Sequence, residues 1–300
     1  MKFLVTGAWT SANEQLNNLY ARQHEVVFMQ NEKEELPCDP KEIEGVVCNG
    51  LFLYHDIDKF TSLKYVQLTS AGFDRVPMDK INSRGIKIYN ARGVYSVSMA
   101  EYAIWGVLSL YKNAKTFYIN QSQNKWEKQR EIFELLGKTV LIVGCGSVGL
   151  ECAKRFKAFG TNTIGVDLEE RQDEIIGRVY KIKDIDLALN IADVVVLTLP
   201  LTDLTRGLFN KERFAQMKNG SILVNIARGA IVDQKALLDV LETKLFGAVL
   251  DVFDKEPLSD DSPLWQKENV IVTPHNSYAG NGNGARLSEV ILSNIKKELG

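Results

Sequence analysis

Residues 139–167 read TVLIVGCGSVGLECAKRFKAFGTNTIGVD, and this stretch limits the folds open to the chain more than any other. An apolar, β-branched run at 139–143 stops at Gly144, and a helical pattern begins at Ser147 with Val148, Cys152, Phe156 and Phe159 on one side. The pattern is strand, tight turn, helix. Gly144 permits the turn, Gly146 lets backbone N–H groups approach a pyrophosphate, and Gly149 lets the helix lie close to the strand. Ser147 and Val148 open the helix, so its positive end faces the phosphates. A second strand at 163–166 ends in Asp167, eighteen residues beyond Gly149, where a carboxylate can accept hydrogen bonds from both hydroxyls of an adenine ribose. A 2′-phosphate beside that acid would be repelled, so NAD is expected over NADP, with Arg171 softening the preference.

Three hundred residues exceed what one hydrophobic core usually supports and imply two domains. The 36 basic and 38 acidic residues leave a net charge of −2 without a block of one sign, so neither nucleic acid nor an acidic membrane surface is an expected partner. No apolar run is long enough to span a bilayer, and the sequence starts directly on a strand pattern, MKFLVTG; a cytoplasmic protein is expected. Cys38, Cys48, Cys145 and Cys152 have no CxxC spacing and no companion histidines, which describes reduced packing thiols and no metal site.

Before residue 99 the chain shows short apolar strands at 3–6, 26–29, 45–48, 65–69 and 86–89, with connections that suit a parallel sheet covered on both faces. Its first turn, TGAWTSANE, has a single glycine and makes a poor dinucleotide site. Met99, Ala103, Ile104, Val107, Leu108, Tyr111, Ala114 and Phe117 then describe one long helix after the cap candidates Ser96 and Ser98. The polar segment 120–138 wraps over the surface, anchored by Trp126, Ile132, Phe133 and Leu135. Beyond Asp167, strands are expected at 194–200, 221–227, 248–253 and 269–275, with a helix capped by Asp233 at 233–242. Ligands of such sheets bind beyond the carboxyl ends of the strands, where Arg228, Asp251 and His275 fall.

With the runs LKYVQLTSAGFDRV, TLPLTDLTRGLFN, ILVNIARGAIVD, GAVLDVFDKEPL and TPHNS beside VGCGSVG and Asp167, nearly the whole chain resembles the D-isomer-specific 2-hydroxyacid dehydrogenase family. The resemblance implies an α/β protein of two doubly wound parallel-sheet domains. A Rossmann NAD-binding domain (99–275) is inserted into a flavodoxin-like substrate domain (1–98 plus 276–300), with the active site between them and a homodimer formed through the inserted domain.

The chemistry makes sense residue by residue. A 2-oxo acid offers a carboxylate and an adjacent carbonyl, so its reduction needs a fixed cation and a proton donor. Arg228 supplies a planar bidentate fork. His275 supplies the proton. Glu256, nineteen residues earlier, orients the imidazole and favours its protonated form. The family's catalytic Arg, Glu and His match these three positions. The resemblance further places the N–H groups of Ala71 and Gly72 on the substrate carboxylate, Asp251 on the nicotinamide amide, Thr198, Leu199 and Pro200 around the adenine, Thr205 near the pyrophosphate and Ala227 near the nicotinamide. Tyr54, His55 and Tyr278 are candidates for contact with the substrate side chain.

Two departures narrow the substrate. The family's phosphoglycerate-using members carry an Arg just after the strand corresponding to 45–48, where this chain has Cys48, Asn49 and Gly50; its formate dehydrogenases have Gln where Glu256 stands. Phosphorylated substrates and formate are therefore disfavoured, although Arg75 or Arg92 could replace the missing cation. The expected function is hydride transfer between NADH and a small 2-oxo acid, glyoxylate or hydroxypyruvate being typical, to give the D-2-hydroxy acid. A second class fits the same fold, an NADH-sensing binding protein without significant turnover, and a third is an inactive structural subunit.

Overall fold

The computed structural model describes residues 1–9 and 24–299, so most of the one-glycine turn expected after the first strand lies outside the described residues. The chain divides into two units, Met1–Tyr95 with Gly280–Gly300, and Ser96–Ala279.

The first unit is built on β1 (Lys2–Thr6), β2 (Glu25–Met29), β3 (Gly45–Cys48), β4 (Tyr65–Leu68) and β5 (Lys87–Tyr89), all parallel, in the order β2-β1-β3-β4-β5. Every residue of β3 and β4 is buried. A strand buried on both faces is largely apolar, and the one polar side chain in these two, Gln67, has its partners: its Nε2 donates to Leu68 O (2.9 Å) and its Oε1 accepts from Asn294 Nδ2 (3.0 Å). One face is covered by Ile43, Leu51, Ile57, Phe60 and Ile81. The other receives Leu287, Ile291 and Ile295 from the helix Asn283–Leu299. Their four-residue spacing makes one helical stripe, and burying each contributes roughly 1.5–3 kcal/mol. The chain order reverses between β1 and β3, so this sheet has its switch point there.

The second unit adds β6 (Thr139–Val143), β7 (Asn162–Asp167), β8 (Arg171–Asp173), β9 (Gly177–Lys181), β10 (Val194–Leu197), β11 (Ile222–Asn225), β12 (Gly247–Leu250) and β13 (Val270–Val272). Their order is β13-β12-β11-β10-β6-β7-β9-β8, parallel except for the edge strand β8. The switch point lies between β6 and β10. The hairpin of β8 and β9 was not expected: RQD and GRVYK are polar, as edge strands are, and carry no apolar alternation to announce them.

Two further expectations are corrected. The long helix ends at Tyr111, Asn113 takes a left-handed conformation (φ 53°), and a separate helix, Ala114–Ser122, leaves Phe117 41% exposed. Of the anchors proposed for 120–138, Leu135 is buried, whereas Trp126 is 92% exposed. The units meet a few residues away from the expected 98/99 and 275/276. The helix Ser96–Tyr111 already includes Ser96, and Asn276 and Ser277 are tied to Asp251 within the second unit.

Candidate active site

The fingerprint turn leaves β6 and enters the helix Ser147–Ala158. Gly144 has φ 101°, and a Cβ there would lie 2.8 Å from the Leu199 nitrogen; a Cβ on Gly149 would lie 2.2 Å from the Gly144 carbonyl oxygen. No side chain fits at either place. At Gly146 a Cβ would meet nothing within 4 Å, and no side chain caps this helix, so the amides of Gly146, Ser147 and Val148 open onto free space. That is the shape a pyrophosphate requires. Asp167, at the end of β7, accepts hydrogen bonds from Cys145 N–H (3.2 Å) and Leu168 N–H (2.8 Å), with Arg171 3.6 Å away. The residues therefore fit a dinucleotide. Burial pushes the Cys145 and Cys152 thiols up to about 12, so both are inert packing groups.

Thr198 and Thr205 are both committed inside the protein. Thr198 donates to the Gly144 carbonyl (2.6 Å) and so ties β10 to the fingerprint turn, beside buried Leu199 and exposed Pro200. The hydroxyl of Thr205, the residue expected near the pyrophosphate, is buried, donating to Pro200 O (2.7 Å) and accepting from Thr202 N–H (2.8 Å).

Arg228, Glu256 and His275 all belong to the second unit and follow three successive strands, β11, β12 and β13. Asn225, the buried last residue of β11, brackets the Arg228 turn: its Oδ1 accepts from Ala227 N–H (3.1 Å) and its Nδ2 donates to Arg228 O (3.1 Å). Arg228 itself donates to Ala227 O (2.8 Å). The next residue, Gly229, has no room for a side chain, because a Cβ would lie 1.8 Å from the Phe253 carbonyl carbon. This glycine lets the Arg228 turn pack on the loop that carries Glu256. There Glu256 Oε1 accepts from Phe253 N–H (3.0 Å), and Oε2 accepts from His275 Nδ1 (2.8 Å). Because a carboxylate oxygen only accepts, Nδ1 carries the proton and Nε2 is the free working end of the ring. The ring of Tyr278 stands edge-on to the imidazole at 6.3 Å.

Asp251, which the resemblance gives to the nicotinamide, is fully buried. Oδ1 accepts from Thr273 Oγ1 (2.7 Å) and Asn276 N–H (2.8 Å), Oδ2 from Ser277 N–H (2.9 Å), and its carbonyl accepts from His275 N–H (2.8 Å). These bonds hold His275 in a left-handed conformation (φ 50°) that a non-glycine residue rarely adopts. Asp251→Ala would strand the buried Ser277 N–H at about 1–3 kcal/mol and release the part-buried Asn276 N–H to water. Unfolding free energy should fall by about 1–3 kcal/mol, read from denaturant melts. A melt unchanged from the parent would remove Asp251 from this role.

Asn225 escaped the sequence reading. The available signal was a polar side chain closing an apolar strand, since such a group must find partners when buried. Ala71, Gly72 and Tyr54 lie in the first unit. The carbonyls of Ala71 and Gly72 accept from Asn90 Nδ2 (2.6 Å) and Ser70 Oγ (3.0 Å), and their N–H groups have no partner among the described residues. Tyr54 is half exposed, with the Lys33 ammonium 5.6 Å from its ring centre. Among the described residues no group of three or more His, Cys, Asp or Glu is placed to hold a metal, and no helix is long and apolar enough to cross a membrane.

A doubly wound sheet with its glycine turn at the switch point and an Arg, Glu and His on neighbouring strand ends defines the class of nicotinamide-dependent dehydrogenases. The model of the D-isomer specific 2-hydroxyacid dehydrogenase NAD-binding domain matches residues 104–277, and the chain belongs to that family. It is 35% identical to a D-3-phosphoglycerate dehydrogenase of Methanocaldococcus jannaschii over 85% of this chain and 49% of that protein. It is 34% identical to a hydroxypyruvate reductase of Thermotoga maritima over 81% of this chain and 80% of that one. The chain thus spans about half the length of the phosphoglycerate dehydrogenase and most of the reductase. The crystal structure of a D-isomer specific 2-hydroxyacid dehydrogenase family protein from Aeromonas salmonicida superposes with a TM-score of 0.88 at 30% identity, covering 99% of this chain and 95% of that one.

Proposed function

We propose that the chain reduces small, non-phosphorylated 2-oxo acids to D-2-hydroxy acids with NADH, and runs the reverse reaction when product accumulates. The observation that carries this reading is the 2.8 Å contact between His275 Nδ1 and Glu256 Oε2, on a loop packed against the Arg228 turn. Arg228 binds the substrate carboxylate, and in the first unit the amides of Ala71 and Gly72 are the candidate donors for an anion. Bound NADH supplies the hydride. His275 delivers the proton from Nε2 to the carbonyl oxygen, and Glu256 holds the ring and stabilises its positive charge. Asp167 receives the adenine ribose, while Ala227 and Leu199 line the cofactor side. Residues 99–275 serve as the NAD-binding domain and the remainder as the substrate domain. Exposed Trp105, Tyr118, Ile119 and Trp126 support a homodimer formed through the second unit.

The test is loss of NADH absorbance with glyoxylate, hydroxypyruvate, pyruvate, and branched and aromatic 2-oxo acids, repeated with NADPH. Turnover on at least one acid, faster with NADH, is expected. NADH binding without turnover on any acid would replace this reading with that of an NADH-responsive binding protein.

A further inference from the structure

In doubly wound sheets ligands bind beyond the carboxyl ends of the strands, at the switch point. In the first unit that point lies between β1 and β3, and a side chain of the protein fills it. Glu32, on the loop after β2, reaches across: Oε1 accepts from Thr6 Oγ1 (2.7 Å) and Asn49 N–H (2.7 Å), and Oε2 accepts from Gly50 N–H (2.7 Å). Thr6 closes β1, and Asn49 and Gly50 follow β3 directly. Two successive amides at a strand end make a small anion cradle, and here a fixed carboxylate occupies it. The loop is held a second time, by His55 Nε2 on the Glu32 carbonyl (2.9 Å). Among the described residues no ion pair neutralises Glu32. The nearby cations are Lys33, directed over Tyr54, and Arg75, whose Cδ lies 3.5 Å from where a Gly50 side chain would begin.

The neighbouring strand is β4, in register Cys48 with Leu68, and Thr69 N–H donates to Cys48 O (2.8 Å). Ala71 and Gly72, proposed above for the substrate carboxylate, therefore sit one strand over from Glu32 at the same end of the same sheet. We infer that Glu32 is a specificity-determining residue that rejects 2-oxo acids bearing a second anionic group, such as a phosphate, sulfonate or second carboxylate, in favour of neutral side chains. This rests on the 2-oxo acid reductase reading and narrows its substrate class. The amides that would welcome a second anion are already taken, and the occupant adds like charge against it.

The test is the ratio of kcat/KM for hydroxypyruvate to that for 3-phosphohydroxypyruvate, two acids that differ by the phosphate, measured on the full chain at fixed ionic strength. The parent should favour hydroxypyruvate by about 10²-fold or more, and Glu32→Gln should shrink that preference at least about 10-fold. Thr6→Val, which keeps the charge and removes one of its donors, controls for loop distortion and should leave the ratio near the parental value. Comparable use of both acids by the parent, or a ratio that Glu32→Gln does not move, overturns the assignment while the reductase reading stands. An equal shift in both variants also overturns it, since geometry rather than charge would then be at work. No turnover by the parent on any 2-oxo acid overturns the reductase reading and this inference together.

Discussion

His275→Ala is expected to lower kcat by about 10²- to 10⁴-fold while NADH still binds, because it removes the proposed proton donor and nothing that the cofactor fold depends on. The backbone at this position is held through N–H bonds to Asp251 O (2.8 Å) and Thr273 O (3.1 Å), which alanine retains. The left-handed conformation suits alanine somewhat less than histidine, by less than the roughly 1–2 kcal/mol it costs an ordinary residue. The large loss should therefore appear in turnover, with at most a small shift in the melt. Steady-state NADH oxidation against the best 2-oxo acid gives kcat, and a fluorescence titration gives the NADH affinity. A variant within a few-fold of the parent in kcat would mean that another group protonates the carbonyl.

Arg228 carries the second large effect. Two charge-assisted hydrogen bonds to a carboxylate, at roughly 1.5–3 kcal/mol each, correspond to about 10²- to 10⁴-fold in kcat/KM, and Arg228→Ala should lose that much. Arg228→Lys should remain at least about tenfold below the parent, because an ammonium restores the charge but not the planar fork. The Arg228 backbone is set by Asn225 and Gly229, so both variants should keep their NADH affinity and melting behaviour. Full recovery in the Lys variant would show that charge alone suffices and would remove the bidentate geometry from the mechanism.

The two loops show why the chemical residues could be read early and their supports could not. Arg228, Glu256 and His275 fall at strand ends in distinctive motifs, so residue type and position along the chain single them out as candidates. The 2.8 Å contact between Glu256 and His275 joins residues nineteen apart in the chain, and the short spacing of strand ends in a parallel sheet made that pairing foreseeable. Asp251 has the same local signature as a ligand-facing acid, a carboxylate just past an apolar strand. Its burial and its bonds to Thr273, Asn276 and Ser277 show a tie holding the next loop, which no local pattern announces. The same holds for Thr205: a hydroxyl that could face a phosphate also closes its own turn, here through Pro200 and Thr202.

The sequence by itself determined the elements whose signal is local. These are the fingerprint turn, where Gly144 and Gly149 leave no space for a side chain, the buried strands with their largely apolar runs, and the cap of the helix Gln234–Thr243, where Asp233 accepts from Lys235 and Ala236 N–H. Each depends on backbone sterics or burial acting over a few consecutive residues. The tertiary structure alone decided what depends on distant residues meeting. It broke the helix at Asn113, added the polar edge hairpin of β8 and β9, turned Asp251 inward, and brought Glu32 across to Asn49 and Gly50. A carboxylate carries the same charge wherever it stands in the chain. Whether it faces a ligand, a loop or an amide cradle depends on which donors folding brings within about 3 Å of it.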